Sequence, residues 1–364
     1  MKKLQFFSIA LLFLWSCASE SSKPTSPFTP DKNQAHGRVN QILVIAEDDL
    51  WKSPVGDTFF YYFGAPYILL PQPEPIFDVQ HLTPEQLSEQ TVKKEFRTVL
   101  FLADLNNENS SVSSLVKADL GGEKLAEVLQ GKKYGVTVGR DKWAKEQLLF
   151  NIHGYGEERL VENIQKNFPS IARKINEKDE TIVKANAYQA GRNDKLAAEI
   201  KSIFNLDLDV PGDFQKAFFN SQTNTMWLRR DVREVNVNIL IHKRPYTNKS
   251  QLTKEGIKKI RDEVGRIVTS TVTGSYMRIN DVDLPLFVEN KTINNQYAVQ
   301  AKGIWDMVND FKGGPFVSNL MLDEKAGELI LVDAFVFAPQ KDKRNYMQEM
   351  ELIISSAKIL ADVK

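Results

Sequence analysis

Carboxylates, imidazoles and hydroxyls are the groups through which this chain could move protons, hold metals or attack carbonyls, and their spacing decides which of these is open to it. Glu47, Asp48 and Asp49 directly follow the apolar run Gln41-Ile-Leu-Val-Ile-Ala46. Acids at the end of a strand can bind a divalent cation or act as acid and base, but consecutive ones point in different directions, and before a helix they serve as caps. Asp57, Glu74 and Asp78 stand further on. With Asp48 they could be assembled in a cleft as the paired carboxylates of an envelope hydrolase acting on peptidoglycan or glycan. The four histidines, His36, His81, His153 and His242, are far apart with no H-x-x-x-H pair, so they read as separate satisfied side chains and indicate no metal site. No G-x-S-x-G is present. Ser355-Ser-Ala-Lys358 has S-x-x-K spacing, but it lies six residues from the end of the sequence, where the nucleophile of that chemistry would precede its substrate domain; it reads as a helix terminus in solvent. Gly121-Gly122 and Gly313-Gly314 lack the pattern of a phosphate loop, and no cofactor is indicated.

A second constellation is aromatic. Phe59-Phe-Tyr-Tyr-Phe63 falls in a segment expected to be helical, and at about 100° per residue five positions cover the whole circumference. One buried face cannot take them all. Either this helix is buried on several sides, or it offers an aromatic surface to a partner protein, a glycan or the membrane interface. Trp51, Tyr67 and the stretch Pro71-Gln-Pro-Glu-Pro75 adjoin it, so the candidate binding surface is Trp51, Tyr61, Tyr62, Tyr67 and Glu74.

The elements that must position these groups come from 364 residues, 42% hydrophobic and 26% charged, the composition of a folded chain long enough for two domains. Strands are expected at 41–46, 76–82, 97–102, 136–138 and 147–152, the last two as a hairpin. Helices are expected from Asp57 to Gly64, at 123–130, and from 157 through a polar stretch to about 190. A comparable order recurs: helix 194–205, strand 233–241, helix 251–271, a hairpin of 319–323 with 328–337, and helix 343–361. The expected fold is therefore α+β, with two tandem units of mainly antiparallel sheet and packed helices. They are read as duplicated copies at 38–190 and 191–364, the second carrying an insertion near 279–316.

The N-terminus carries an address. Lys2 and Lys3 precede the mostly apolar Leu4 to Trp15, too short to span a bilayer but matching a secretory signal over residues 1–16, and Cys17, the sole cysteine, stands where the apolar run ends. This segment resembles the lipobox of bacterial lipoproteins. The resemblance implies that Cys17 becomes the new N-terminus, thioether-linked to diacylglycerol and acylated on its amine with a palmitate-type chain, which would hold the protein on the membrane. Residues 17–37, rich in Ser, Pro, Thr and charge, then read as a tether. By resemblance to the sorting rule of enterobacterial lipoproteins, Ala18 in place of Asp favours the outer membrane, with the folded part facing the periplasm or the cell surface.

Removing residues 1–16 takes away two lysines and no acid, so 45 basic against 47 acidic residues remain, a formal charge of −2. That balance argues against nucleic acid as a partner. The lipobox, Gly56-Asp57, Leu70-Pro-Gln-Pro-Glu-Pro75 with Phe77-Asp78, and Asp141-Lys-Trp-Ala144 with Gln147 together resemble a family of uncharacterised lipoproteins of Bacteroidota, known only as a domain of unknown function. The resemblance implies a location and no activity. The sequence thus reads as a lipid-anchored envelope protein with a binding or structural role and an envelope protein or glycan as partner, the hydrolase remaining the alternative. Cys17→Ala is expected to leave the protein unlipidated; acyl labelling that persists in this variant contradicts the lipobox reading.

Overall fold

The computed structural model describes residues 32–130 and 135–360. Cys17, the signal segment and most of the expected tether lie outside the described residues. The first unit runs β1 (Gln41–Ile45), α1 (Asp48–Trp51), α2 (Pro54–Phe63), β2 (Asp78–Leu82), α3 (Pro84–Glu89), β3 (Thr98–Asp104), α4 (Ser111–Leu129), β4 (Val136–Arg140), β5 (Leu148–Gly154) and α5 (Glu157–Ala187). Helix α2 starts a turn earlier than Asp57, because the Ser53 side chain accepts from the Val55 N–H and Pro54 sits in the first turn, where its missing N–H costs nothing. Helix 123–130 is the second half of α4, broken at Gly121, whose φ of 73° a glycine adopts freely. Between α2 and β2 the Pro-rich stretch forms no regular element.

The strand order is β2-β1-β3-β5-β4, with β1, β2, β3 and β5 parallel and β4 antiparallel on the edge. Strands β1, β3 and β5 are buried on both faces, as in a sheet covered on both sides. Ile42, Val44, Leu100, Leu102, Phe150 and Ile152 pack under α2 and α5 with Phe59, Phe63, Leu160 and Ile164. Leu43, Ile45, Val99, Phe101 and Leu149 point the other way, against Leu87 of α3 and Val112, Val116 and Leu120 of α4.

The second unit runs α6 (Asp194–Phe204), β6 (Leu206–Asp207), β7 (Gln215–Asn220), β8 (Thr225–Val232), β9 (Val235–Pro245), α7 (Lys254–Gly265), β10 (Tyr276–Asn280), β11 (Phe287–Ile293), β12 (Gln296–Val308), β13 (Asp310–Asp323), β14 (Glu328–Phe337), α8 (Arg344–Ser355) and β15 (Lys358–Ile359). Its main sheet is antiparallel, in the order β10-β12-β13-β14-β9-β8-β7, with β11 also paired to β12. One face packs on α6 and α8 through residues such as Ile241, Met321, Val332, Phe204, Met347 and Ile353. The opposite face packs on α7 through Ile257, Ile260, Phe316, Leu320 and Leu331. Under α7 an ion pair is buried whole: Arg261 Nε donates to Asp333 at 2.8 Å, Ser318 donates to the same carboxylate oxygen, and the guanidinium lies 3.5 Å from the Phe316 ring centroid. Removing one partner of such a pair leaves a charge in an apolar core.

Two units of α+β character are thus present, but they are not copies of each other. Three of the four pairings in the first unit's sheet are parallel, whereas the second unit's main sheet is antiparallel throughout, and the strand orders differ. Residues 279–316, expected as an insertion, supply β11, β12 and the start of β13, strands at one end of that same sheet. Similarity of element order along the chain arose because short α+β segments share turn and cap signals, which carry no information on pairing.

His153, at the end of β5, is buried with neither ring nitrogen partnered among the described residues, and burial pushes its pKa down to about 4. The unfolded imidazole takes a proton near pH 6.5 and the folded one resists it, so stability is full above about 6.5 and falls as pH drops toward 4. His242, lowered to about 4 by the same cause, adds to this slope. Denaturant unfolding of His153→Leu should show a shallower loss of stability between pH 6.5 and 4 than the unaltered chain; an identical slope contradicts the assignment.

Candidate functional site

Helix α8 has two working faces. Met347, Met350, Ile353 and Ile354 enter the core of the second unit, while Arg344, Asn345, Gln348 and Glu351, one to two turns apart on the other side, meet the first unit. Its N-terminus is held by Glu74, a buried carboxylate from the Pro-rich loop: Oε1 accepts from the Lys343 N–H at 2.7 Å and Oε2 from the Arg344 N–H at 2.9 Å. The Arg344 guanidinium reaches back, donating to both carboxylate oxygens of Asp78 at 3.2 and 2.9 Å and to the Pro75 carbonyl. Asn40 and Gln348 exchange amide hydrogen bonds of 2.8 and 3.0 Å, and the Asn40 N–H donates to the buried Asp179 of α5 at 2.7 Å. Burial raises the Asp179 carboxyl above its ordinary range, against the pull of that N–H and of Arg97.

This clamp creates a cleft of about 500 Å³ between the units, within the range of small-molecule sites. Directly paired residues of antiparallel strands share a face, so the pairs Phe287–Lys302 and Glu289–Gln300 put all four side chains on one side of the β11–β12 ribbon. Loop residues Pro66 to Leu69 and Ile76 of the first unit form the facing wall. The wall is apolar and open to water: Ile68 is 65% exposed and Phe287 41%. At one end stands a polar chain, in which the Tyr67 hydroxyl donates to Glu351 Oε1 at 3.0 Å and Lys302 Nζ donates to Glu351 Oε2 at 2.7 Å. Burial and the adjacent Glu351 carboxylate hold the Tyr67 phenol well above its ordinary pKa, so it is a fixed donor. Tyr67 also lines a second groove of about 650 Å³, between α5 and α8.

Open parallel sheets ordinarily bind ligands outside the carboxyl ends of their strands where the order reverses, here between β1 and β3. That position is filled by the chain itself. Glu47 Oε1 accepts from the Ser110 hydroxyl and the Ser111 N–H, both at 2.8 Å, at the start of α4, and Asp104 Oδ1 accepts from the Gly156 N–H at 2.8 Å at the start of α5. Both helix N-termini, where a phosphate would bind, already carry a carboxylate.

The residues singled out from sequence do not form one surface. Trp51 stacks on His81 with centroids 4.5 Å apart and also meets Phe59. Tyr62 packs on Phe168 of α5, and Tyr61 projects outward, 73% exposed beside Phe60 at 56%. Tyr67 and Glu74, joined by the Tyr67 N–H to the Glu74 carbonyl at 2.7 Å, turn instead toward α8. Among the carboxylates, Asp48 pairs with Lys52, Asp57 is exposed on α2, and Glu74 and Asp78 are both engaged by α8. Sequence reasoning missed Phe287, Gln300, Lys302, Arg344 and Glu351. Its overlooked signals were the polar stripe Arg344, Asn345, Gln348, Glu351 on a helix and the polar residues Gln296, Gln300, Lys302 and Asp306 on one face of β12. Among the described residues no group of three or more His, Cys, Asp or Glu could hold a metal ion.

Comparison with known proteins divides the chain along the same line. Residues 35–188 match the model of a domain of unknown function, DUF8532, and residues 193–356 match that of another, DUF4837. No curated protein matches the chain. Among solved structures, the crystal structure of LpqN, involved in cell envelope biogenesis of Mycobacterium tuberculosis, is similar at 11% identity and a TM-score of 0.26, over 42% of this chain and 82% of that one. A likeness of that size carries no argument about fold or activity.

Replacing Glu74 by Gln puts an amide N–H against one of the two helix N–H groups it now accepts from, and should cost about 2–3 kcal/mol in denaturant unfolding. A loss below about 0.5 kcal/mol contradicts the clamp.

Proposed function

We propose that this chain is a lipid-anchored protein of the cell envelope, attached to the outer membrane through Cys17, and that it works as a binding component whose ligand enters the cleft between its two units. The observation that carries the binding reading is the composition of that cleft: an apolar wall with Ile68 and Phe287 open to solvent and Leu69 and Ile76 behind them ends in the Tyr67–Glu351–Lys302 chain. An apolar wall of this kind is a cost in water unless something covers it, at roughly 25 cal/mol per Å². The lipobox resemblance around Cys17 supports attachment by lipid.

The hydrolase alternative draws less support. Its carboxylates would have to converge across a cleft with one of them free to donate a proton. Glu74 and Asp78 do come together, but as the cap and the counter-ion of α8, where a change of protonation would loosen the clamp. An exposed Tyr61 beside Phe60 leaves a second, smaller contact surface for an envelope protein or glycan.

The full chain carrying Cys17→Ala should bind the neutral apolar dye N-phenyl-1-naphthylamine at one site with a rise in fluorescence. Phe287→Ser combined with Ile68→Ser should weaken this about tenfold or more while shifting the unfolding midpoint little, since both side chains are exposed. Unchanged dye affinity in the double variant contradicts the reading.

A further inference from the structure

The polar end of the cleft holds one group whose bonding is incomplete. Gln300 is only 6% exposed and lines the cleft, its Nε2 donates to Asn319 Oδ1 at 2.8 Å, and its Oε1 has no partner among the described residues. The bond to Asn319 fixes the orientation of the amide, because Asn319 Oδ1 can only accept. A buried carbonyl oxygen without a donor is costly, and native proteins rarely leave one so. Two residues along the same face of β12 stands Lys302, whose ammonium has three N–H donors and spends one on Glu351. Gln300 thus carries, at the wall of the cleft, a sealed acceptor that lacks a donor and that a small rotation of the side chain would bring to a ligand, and two residues along stands a cation with donors to spare, next to the apolar wall of Ile68, Ile76 and Phe287.

We infer that the ligand is an amphipathic molecule whose head is a secondary amide: its N–H donates to Gln300 Oε1, its carbonyl accepts from Lys302, and its alkyl or acyl chain lies along the apolar wall. A free carboxylate head would satisfy Lys302 but place its charge near Glu351 and Glu289 and leave Gln300 unpaired; an ester would likewise lack the donor. A secondary amide matches both protein groups in one planar unit. The inference rests on the cleft being the binding site, and it adds the chemistry of the head group.

The test compares N-octylacetamide with octyl acetate, which share chain and shape and differ in N–H against O, by calorimetric titration into the full chain carrying Cys17→Ala. The amide is the better hydrated of the two, so a preference for it must come from bonds made in the cleft. It should bind about tenfold tighter, and Gln300→Met should erase the difference while keeping the affinity for octyl acetate, which shows that the cleft is intact. Equal binding of both probes overturns the amide assignment and leaves the cleft as a site for apolar chains. An amide preference that survives Gln300→Met overturns the role of Gln300. If neither probe binds, the cleft reading falls as well. Should Gln300→Met fail to fold, the comparison of the two probes on the unaltered cleft still decides.

Discussion

A single carboxylate, that of Glu74, sets the arrangement on which the rest of the molecule's surface depends. The start of any helix presents N–H groups with no partner in the helix and the positive end of its dipole. At α8 these point at the first unit, and Glu74 meets two of them with one oxygen each. The loop that carries it is suited to the task because prolines at 71, 73 and 75 hold an extended backbone and have no N–H of their own to satisfy. Arg344 closes the arrangement by binding Asp78, so a negative loop and a positive helix start grip each other. With the end of α8 fixed, its polar side is aimed at Asn40, which in turn donates to Asp179, and at Tyr67, and the wall of residues 66–69 is held over the β11–β12 ribbon. The cleft is a consequence of the cap.

The same device recurs inside the first unit, with a different consequence. Glu47 caps α4 and Asp104 caps α5 at the end of the sheet where a parallel α/β fold would hold a phosphate. Carboxylates that might have done chemistry are instead bonded to backbone N–H groups, and the site typical of the architecture is closed by the chain's own charges. The open, apolar and incompletely bonded surface lies at the junction of the units, on residues that belong to neither helix terminus.

Much of the fold was legible. The apolar runs of β1, β3 and β14 and the amphipathic pattern of α5 and α8 read correctly, because burial on both faces or one stripe leaves a direct mark on composition, but the helix expected to run to 361 stops at Ser355 and the chain goes on into β15. The aromatic helix also obeyed its geometry: Phe59 and Phe63, four apart, are buried, and Phe60 and Tyr61 face out. What failed was pairing. Parallel and antiparallel registers leave no trace in a short apolar run, so the first unit's parallel sheet went unseen. Strand β8 was missed because its hairpin turns at Arg233 with φ of 54°, a residue type that does not announce a left-handed turn. Strands β11 and β12 did carry a signal, Asn294-Asn295 with φ of 47° and 64°, the signature of a tight hairpin that was read as part of an insertion. The site was the least legible part, since Glu74 and Lys343 lie 269 residues apart and no local pattern records a cap supplied from so far away.

The central claim is that the two units are joined into one body by this buried polar clamp, and scanning calorimetry of the full chain carrying Cys17→Ala tests it most directly. Buried carboxylate-to-backbone and guanidinium-to-carboxylate bonds across the junction should make the units unfold together, giving one transition whose calorimetric and van't Hoff enthalpies agree. Two separable transitions, each with the enthalpy of a domain of about 150–170 residues, would contradict it.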